Sequence, residues 1–135
     1  MKYLLIGLFM GFWFSCGDSK NYANVILNSI EIKNDSSSEF SEAEILIGDI
    51  RTVKSQFWPN QESNESYNNP IINIAEKSPI ILKVKFKFKD KILKDQVDIT
   101  AKLKPFEGKS VFIKFGINPE VTPIINNIVI LESKL

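Results

Sequence analysis

The chain has 135 residues, with 17 basic against 16 acidic side chains, no histidine and one cysteine. That length suits one domain. Near neutrality gives no electrostatic reason to expect a nucleic acid partner. The lack of histidine removes the commonest general base and metal ligand, and a lone cysteine excludes an intrachain disulfide. With 44% apolar and 24% charged residues the chain is not of the disordered class.

The first elements are expected to lie outside the folded domain. Lys2 supplies one positive charge, and Tyr3 to Phe14 is a twelve-residue run of apolar residues and glycine. It falls short of the roughly 20 residues that a helix needs to cross a bilayer, and has the form of a secretory signal. Ser15 and Cys16 follow, and the chain turns polar at once at Gly17-Asp18-Ser19-Lys20. The segment Trp13-Phe14-Ser15-Cys16 resembles the lipobox of bacterial lipoproteins: Ser15 and Cys16 match, and Trp13 stands where leucine is usual. The resemblance implies cleavage before Cys16, lipidation of its sulfur and membrane attachment through that lipid. The expected organisation is a signal over 1–15, a lipidated tether over 16–21 and a folded domain over 22–135. One acyl chain alone holds a protein only reversibly, whereas two or three make attachment effectively permanent. The expected location is the cell envelope, with the outer membrane as destination. A tether of about six residues spans roughly 20 Å and keeps the domain close to the bilayer.

From Cys16 onward the chain holds 19 Ile and 7 Val against 7 Leu and 4 Ala. β-Branched side chains lose rotamer freedom in helices and fit a pleated surface, so strands are expected throughout. The first runs from Ala23 to Lys33, with Val25 and Leu27 out of phase with Ile30 and Ile32, which predicts a bulge. Ala43 to Val53 reads as a second strand and Ile71 to Ala75 as a short one. Leu82 to Lys89 alternates without fault, placing Leu82, Val84, Phe86 and Phe88 on one face. Val97 to Leu103 also alternates, predicting Val97, Ile99, Ala101 and Leu103 inside and an antiparallel pair with the preceding strand, Asp98 lying across from a lysine. Val111, Ile113 and Phe115 mark another strand and Ile124 to Leu131 the last. Turn signals at Asn34-Asp35-Ser36, Asn69-Pro70, Ser78-Pro79, Glu107-Gly108 and Asn118-Pro119 separate them. Helical spacing is confined to at most one turn, at Ser41 to Ile45.

The expected fold is all-β: a single antiparallel β-sandwich of about seven strands, with an immunoglobulin-like Greek key favoured and a small β-barrel as the alternative.

Two features of the domain could carry binding. Lys83, Lys85, Lys87 and Lys89 form a basic stripe suited to anionic headgroups, polysaccharide or an acidic protein, although lysines also guard strands against aggregation. The stretch from Phe57 to Asn69 is the longest irregular segment and sets Phe57, Trp58 and Tyr67 among amides and hydroxyls, a composition suited to a sugar or peptide. The bland reading of that stretch has its aromatics capping the core. The carboxylates are scattered and no phosphate loop, dinucleotide fingerprint or nucleophile elbow occurs. Arg51, the only arginine, is expected in a partly buried ion pair. No metal, cofactor or catalytic residue is expected. The sequence thus predicts a non-enzymatic envelope lipoprotein with a binding or accessory domain, whose partner is an envelope protein or a polysaccharide and not nucleic acid. The alternative is a carbohydrate- or peptide-binding, enzyme or inhibitor module built on the Phe57–Asn69 stretch.

Overall fold

The computed structural model describes residues 24–74 and 79–133. The signal segment, Cys16 and the tether lie outside the described residues. The elements are β1 (Asn24–Asn34), β2 (Phe40–Ile47), β3 (Ile50–Phe57), β4 (Glu62–Ser66), β5 (Ile71–Asn73), β6 (Ile81–Phe88), β7 (Lys91–Asp98), a one-turn helix α1 (Thr100–Leu103) running into a 3-10 turn (Lys104–Phe106), β8 (Ser110–Ile117) and β9 (Ile125–Glu132).

Two open sheets pack face to face. The first has the order β4-β1-β8-β9, with β5 also on β1, and the second has the order β3-β2-β6-β7. The fold is an all-β sandwich, and the small-barrel alternative does not apply. Two details depart from the expectation. Among the described residues nine strands replace about seven. Among the described residues the ladders are antiparallel except one: β1 pairs parallel with β8, from Ile26↔Ser110 to Asn34↔Ile117.

The phase change in β1 is a bulge. Val25 and Leu27 are buried before it, and Ile30 and Ile32 after it. The register against β8 slips between Leu27 and Ser29. The extra residue turns the strand over so that both halves keep an apolar face inward.

The run from Ala43 to Val53 is not one strand but the heart of a hairpin. Gly48 takes φ +59°, a left-handed conformation that glycine adopts without steric cost, and the chain reverses there. Ile45 and Ile47 remain inside on β2, whereas Val53 on β3 points to solvent.

Val97 to Leu103 is also corrected. β7 begins earlier, at Lys91, after a tight turn at Lys89-Asp90 in which both residues have positive φ. It stops at Asp98, whose carboxylate accepts the Thr100 N–H at 2.9 Å. The Thr100 hydroxyl accepts the Ile80 N–H at 2.7 Å, and Pro105 lies in the 3-10 turn that follows. Ile99 and Leu103 are wholly buried and Ala101 is exposed. A separation of four residues on a helical turn satisfies that pattern as a strand would not. Asp98 faces Ile81, not a lysine.

Three phenylalanines centre one end of the core. The Phe40 ring lies 5.0 Å from Phe57 and 4.5 Å from Phe86, centroid to centroid. Such offset or tilted ring pairs add roughly 0.5–1.5 kcal/mol each beyond burial. Ile30, Ile32, Ile45, Ile47, Leu82 and Ile113 fill the remainder of the inter-sheet space.

Candidate binding face on the second sheet

The exact alternation of β6 sends Leu82, Val84 and Phe86 into the core and Lys83 and Lys85 into water. Lys87 follows on the same outer face, half-exposed. Ammonium groups at every second residue recur about every 6.5–7 Å along a strand. Lys89 does not continue the stripe. It occupies the turn at φ +50°, with its Nζ 5.2 Å from the centre of the Phe88 ring.

A different lysine joins instead. Lys94 of β7 is directly opposite Lys85, and both are exposed. Like charges opposed across a ladder destabilise the pair. Glu44 of β2 flanks Lys85 on its other side. Its carboxylate is already engaged, because Arg51 Nε of β3 donates to Glu44 Oε2 at 2.5 Å. That hydrogen bond holds the Glu44 carboxyl below its ordinary value of 4.5, opposed by desolvation and reinforced by the charges of Arg51 and Lys85. The Arg51 pair expected from the sequence therefore exists, and it lies at the surface.

Asp95 is the second carboxylate at this site, and it is engaged by backbone groups. Its two oxygens accept the backbone N–H groups of Gln96 at 2.9 Å and of Ile125 at 3.0 Å. Among the described residues, Lys83, Lys85, Lys87 and Lys94 have no carboxylate within ion-pair distance. Lys83, Lys85 and Lys94, with the acidic Glu44 and Asp95 and with Gln96, border a shallow depression of about 390 Å³. The face can therefore receive negative charge without displacing an existing ion pair.

The structure disperses the three aromatics of the Phe57–Asn69 stretch. Phe57 is wholly buried beneath β2 and offers no surface to a ligand. Trp58, the next residue, is 56% exposed at the tip. Tyr67 leaves β4 and packs half-buried against the core, its hydroxyl bonded to the Thr52 hydroxyl across the gap between the two sheets. Burial raises the Tyr67 phenol above its ordinary value of 10.0, partly offset by the Thr52 bond and aided by the Glu65 charge. The stretch is not irregular. A turn closed by the Gln61 N–H to the Trp58 carbonyl leads into β4, which pairs with β1 from Lys33↔Glu62 to Ser29↔Ser66.

Beside Trp58 a buried polar hub fixes the end of the sandwich. Asn34 is wholly buried. Its side-chain amide donates to the carbonyls of Ser38 at 2.8 Å and Trp58 at 3.1 Å, and its oxygen accepts the N–H and hydroxyl of Ser36 at 3.0 and 2.7 Å. The Ser38 hydroxyl continues outward to Glu120 at 2.9 Å. These bonds tie the Asn34–Ser38 turn to the backbone at Trp58.

Among the described residues no group of three or more His, Cys, Asp or Glu side chains is placed to hold a metal ion, and no helix is long and apolar enough to cross a membrane. Comparison with protein-family models, with curated proteins and with solved structures finds no match.

Proposed function

We propose that this chain is a lipid-anchored protein of the bacterial cell envelope whose sandwich is a binding or accessory domain, and that the outer face of the second sheet is its contact for an anionic partner. Cys16 carries the anchor in this reading, and Lys83, Lys85, Lys87 and Lys94 carry the contact. The observation behind it is the Lys85–Lys94 opposition beside two carboxylates that are both engaged elsewhere. A flat face of regularly spaced charges suits an extended acidic segment of an envelope protein better than a small molecule, which needs a deeper pocket. An anionic polysaccharide would meet the same ammonium groups and is the competing occupant. The reading that centres on Phe57, Trp58 and Tyr67 has less support, because only Trp58 of the three is well exposed.

The test uses the lipidated protein isolated from envelope membranes. A partner should copurify with the unsubstituted chain, be released by moderate salt, and be absent from the K85E/K94E variant. Retention by that variant would remove the basic face from the proposal. Fatty-acid labelling that persists after Cys16→Ala would remove the anchor independently.

A further inference from the structure

A sheet edge presents unpaired backbone groups, and natural proteins protect such edges with charge, brevity or cover. In this sandwich β7 carries Lys91, Lys94, Asp95 and Asp98, and β3 carries Arg51 and Lys54. β4 and β5 are only five and three residues long. β9 is the exception. It is eight residues long, its sole charge is Glu132, and it ends the first sheet. The Asp95 carboxylate covers its upper end by accepting the Ile125 N–H. No comparable cover lies over Ile128 to Glu132 among the described residues.

The phase of the β8–β9 ladder identifies the free groups. The Ser133 N–H donates to the Ser110 carbonyl at 2.8 Å. Leu131 and Val129, opposite Phe112 and Lys114, therefore also turn their backbone groups toward β8. The backbone groups of Ile128, Ile130 and Glu132 then point away from the sheet. The side chains of Val129 and Leu131 stand on its outer face, 43% and 47% exposed.

We propose that this edge is a homodimer interface in which β9 of two copies pairs antiparallel about Ile130. An antiparallel pair must set residues of the same face opposite one another. Centring on Ile128 places Val129 against Asn127 of the second copy, and centring on Val129 places Leu131 against Asn127. Centring on Ile130 places Val129 against Leu131 and Leu131 against Val129, with Ile130 against itself. It also matches the outward backbone groups of Ile128, Ile130 and Glu132 with their counterparts, for about six hydrogen bonds. The apolar strip of Phe112, Leu131 and Val129 would continue across the two-fold axis. The edge is thus complementary to itself, which is what an isologous contact requires. The first sheets would join in the order β4-β1-β8-β9-β9-β8-β1-β4. This inference is independent of the basic face and of the anchor.

The test introduces one cysteine at a time at Ile128, Val129, Ile130 and Leu131 in the complete chain, with Val53→Cys as an exposed control on another edge and the unsubstituted chain as control for Cys16. After mild oxidation of the total lysate of cells that express the complete chain, Ile130→Cys should crosslink to itself. Val129→Cys and Leu131→Cys should crosslink when coexpressed and little when alone. Equal crosslinking at all positions, or none, overturns the register. In mild detergent the unsubstituted chain should sediment as a dimer. V129K/L131K, which changes two exposed side chains, should weaken association by at least about tenfold, or ~1.4 kcal/mol. A monomer at every concentration, including one whose β9 amides are covered by another segment of the same chain, overturns the proposal.

Discussion

Lys85 and Lys94 face each other directly across the β6–β7 ladder, and the nearest acid to Lys85 on the other side, Glu44, is bound by Arg51. Opposed like charges cost stability, and opposite charges contribute roughly 0.2–1 kcal/mol. Lys94→Glu should therefore raise the thermal midpoint slightly while it abolishes retention of the anionic partner. Thermal denaturation and copurification measured on the same variant check both halves. A loss of stability, or unchanged retention, contradicts the account of this face.

Phe57 and Trp58 are chain neighbours with opposite roles. Phe57→Ala removes a wholly buried ring stacked on Phe40 and should cost about 3–5 kcal/mol. Trp58→Ala alters an exposed side chain and should stay within about 0.5 kcal/mol. Chemical denaturation of the two variants should separate them clearly.

Asn34→Ala should cost about 1–3 kcal/mol, because it leaves the buried Ser36 N–H without its acceptor and takes one of two donors from each of the Ser38 and Trp58 carbonyls, which keep the Ser36 hydroxyl and the Gln61 N–H. Asn34→Asp should be no better, since a carboxylate cannot donate to the two carbonyls. Urea unfolding of both variants provides the measurement. Near-neutral behaviour of either would mean that the hub relaxes around the substitution.

Glu44 should titrate below 4.5, and Arg51→Ala should bring it back up. A lowered folded-state value means that the contribution is present above the unfolded value and is lost as the pH falls through the folded one. The stability of the unsubstituted protein should thus decline on the acid side of about pH 4.5, and Arg51→Ala should flatten that part of the profile. Carboxyl carbon chemical shifts followed against pH would show the titration directly.

The sequence showed clearly those elements whose burial alternates. β6 and β8 were legible because each presents apolar side chains to the core at every second position. β4 was invisible for the opposite reason. Its sequence, Glu62-Ser63-Asn64-Glu65-Ser66, has no apolar residue, and its ladder to β1 holds it in place. The β2–β3 reversal was signalled by Gly48-Asp49 and lost inside an apolar run. The Val97–Leu103 alternation was real but ambiguous, because Ile99 and Leu103 satisfy a helical turn as well. For the site, the lysines of β6 could be read directly. The place of Lys94 could not, since it depends on a two-residue turn at Lys89-Asp90 that sets the register. The division between Phe57 and Trp58 was recoverable from parity, for adjacent strand residues face opposite ways.

The parallel pairing of β1 with β8 also governs when the molecule can assemble. β1 leads the described chain and lies inside its sheet, between β4 and β5 on one side and β8 on the other. Its inner neighbour is contributed only by Ser110–Ile117. Until that segment has been made, the first strand has a bare flank and the sheet cannot close. Local hairpins such as β2–β3 can form early, but the strand that opens the domain must wait for nearly all of the rest. Folding should be slow for a domain of this size, as non-local topologies are, and a chain cut short before β8 should fail as a whole rather than lose one end.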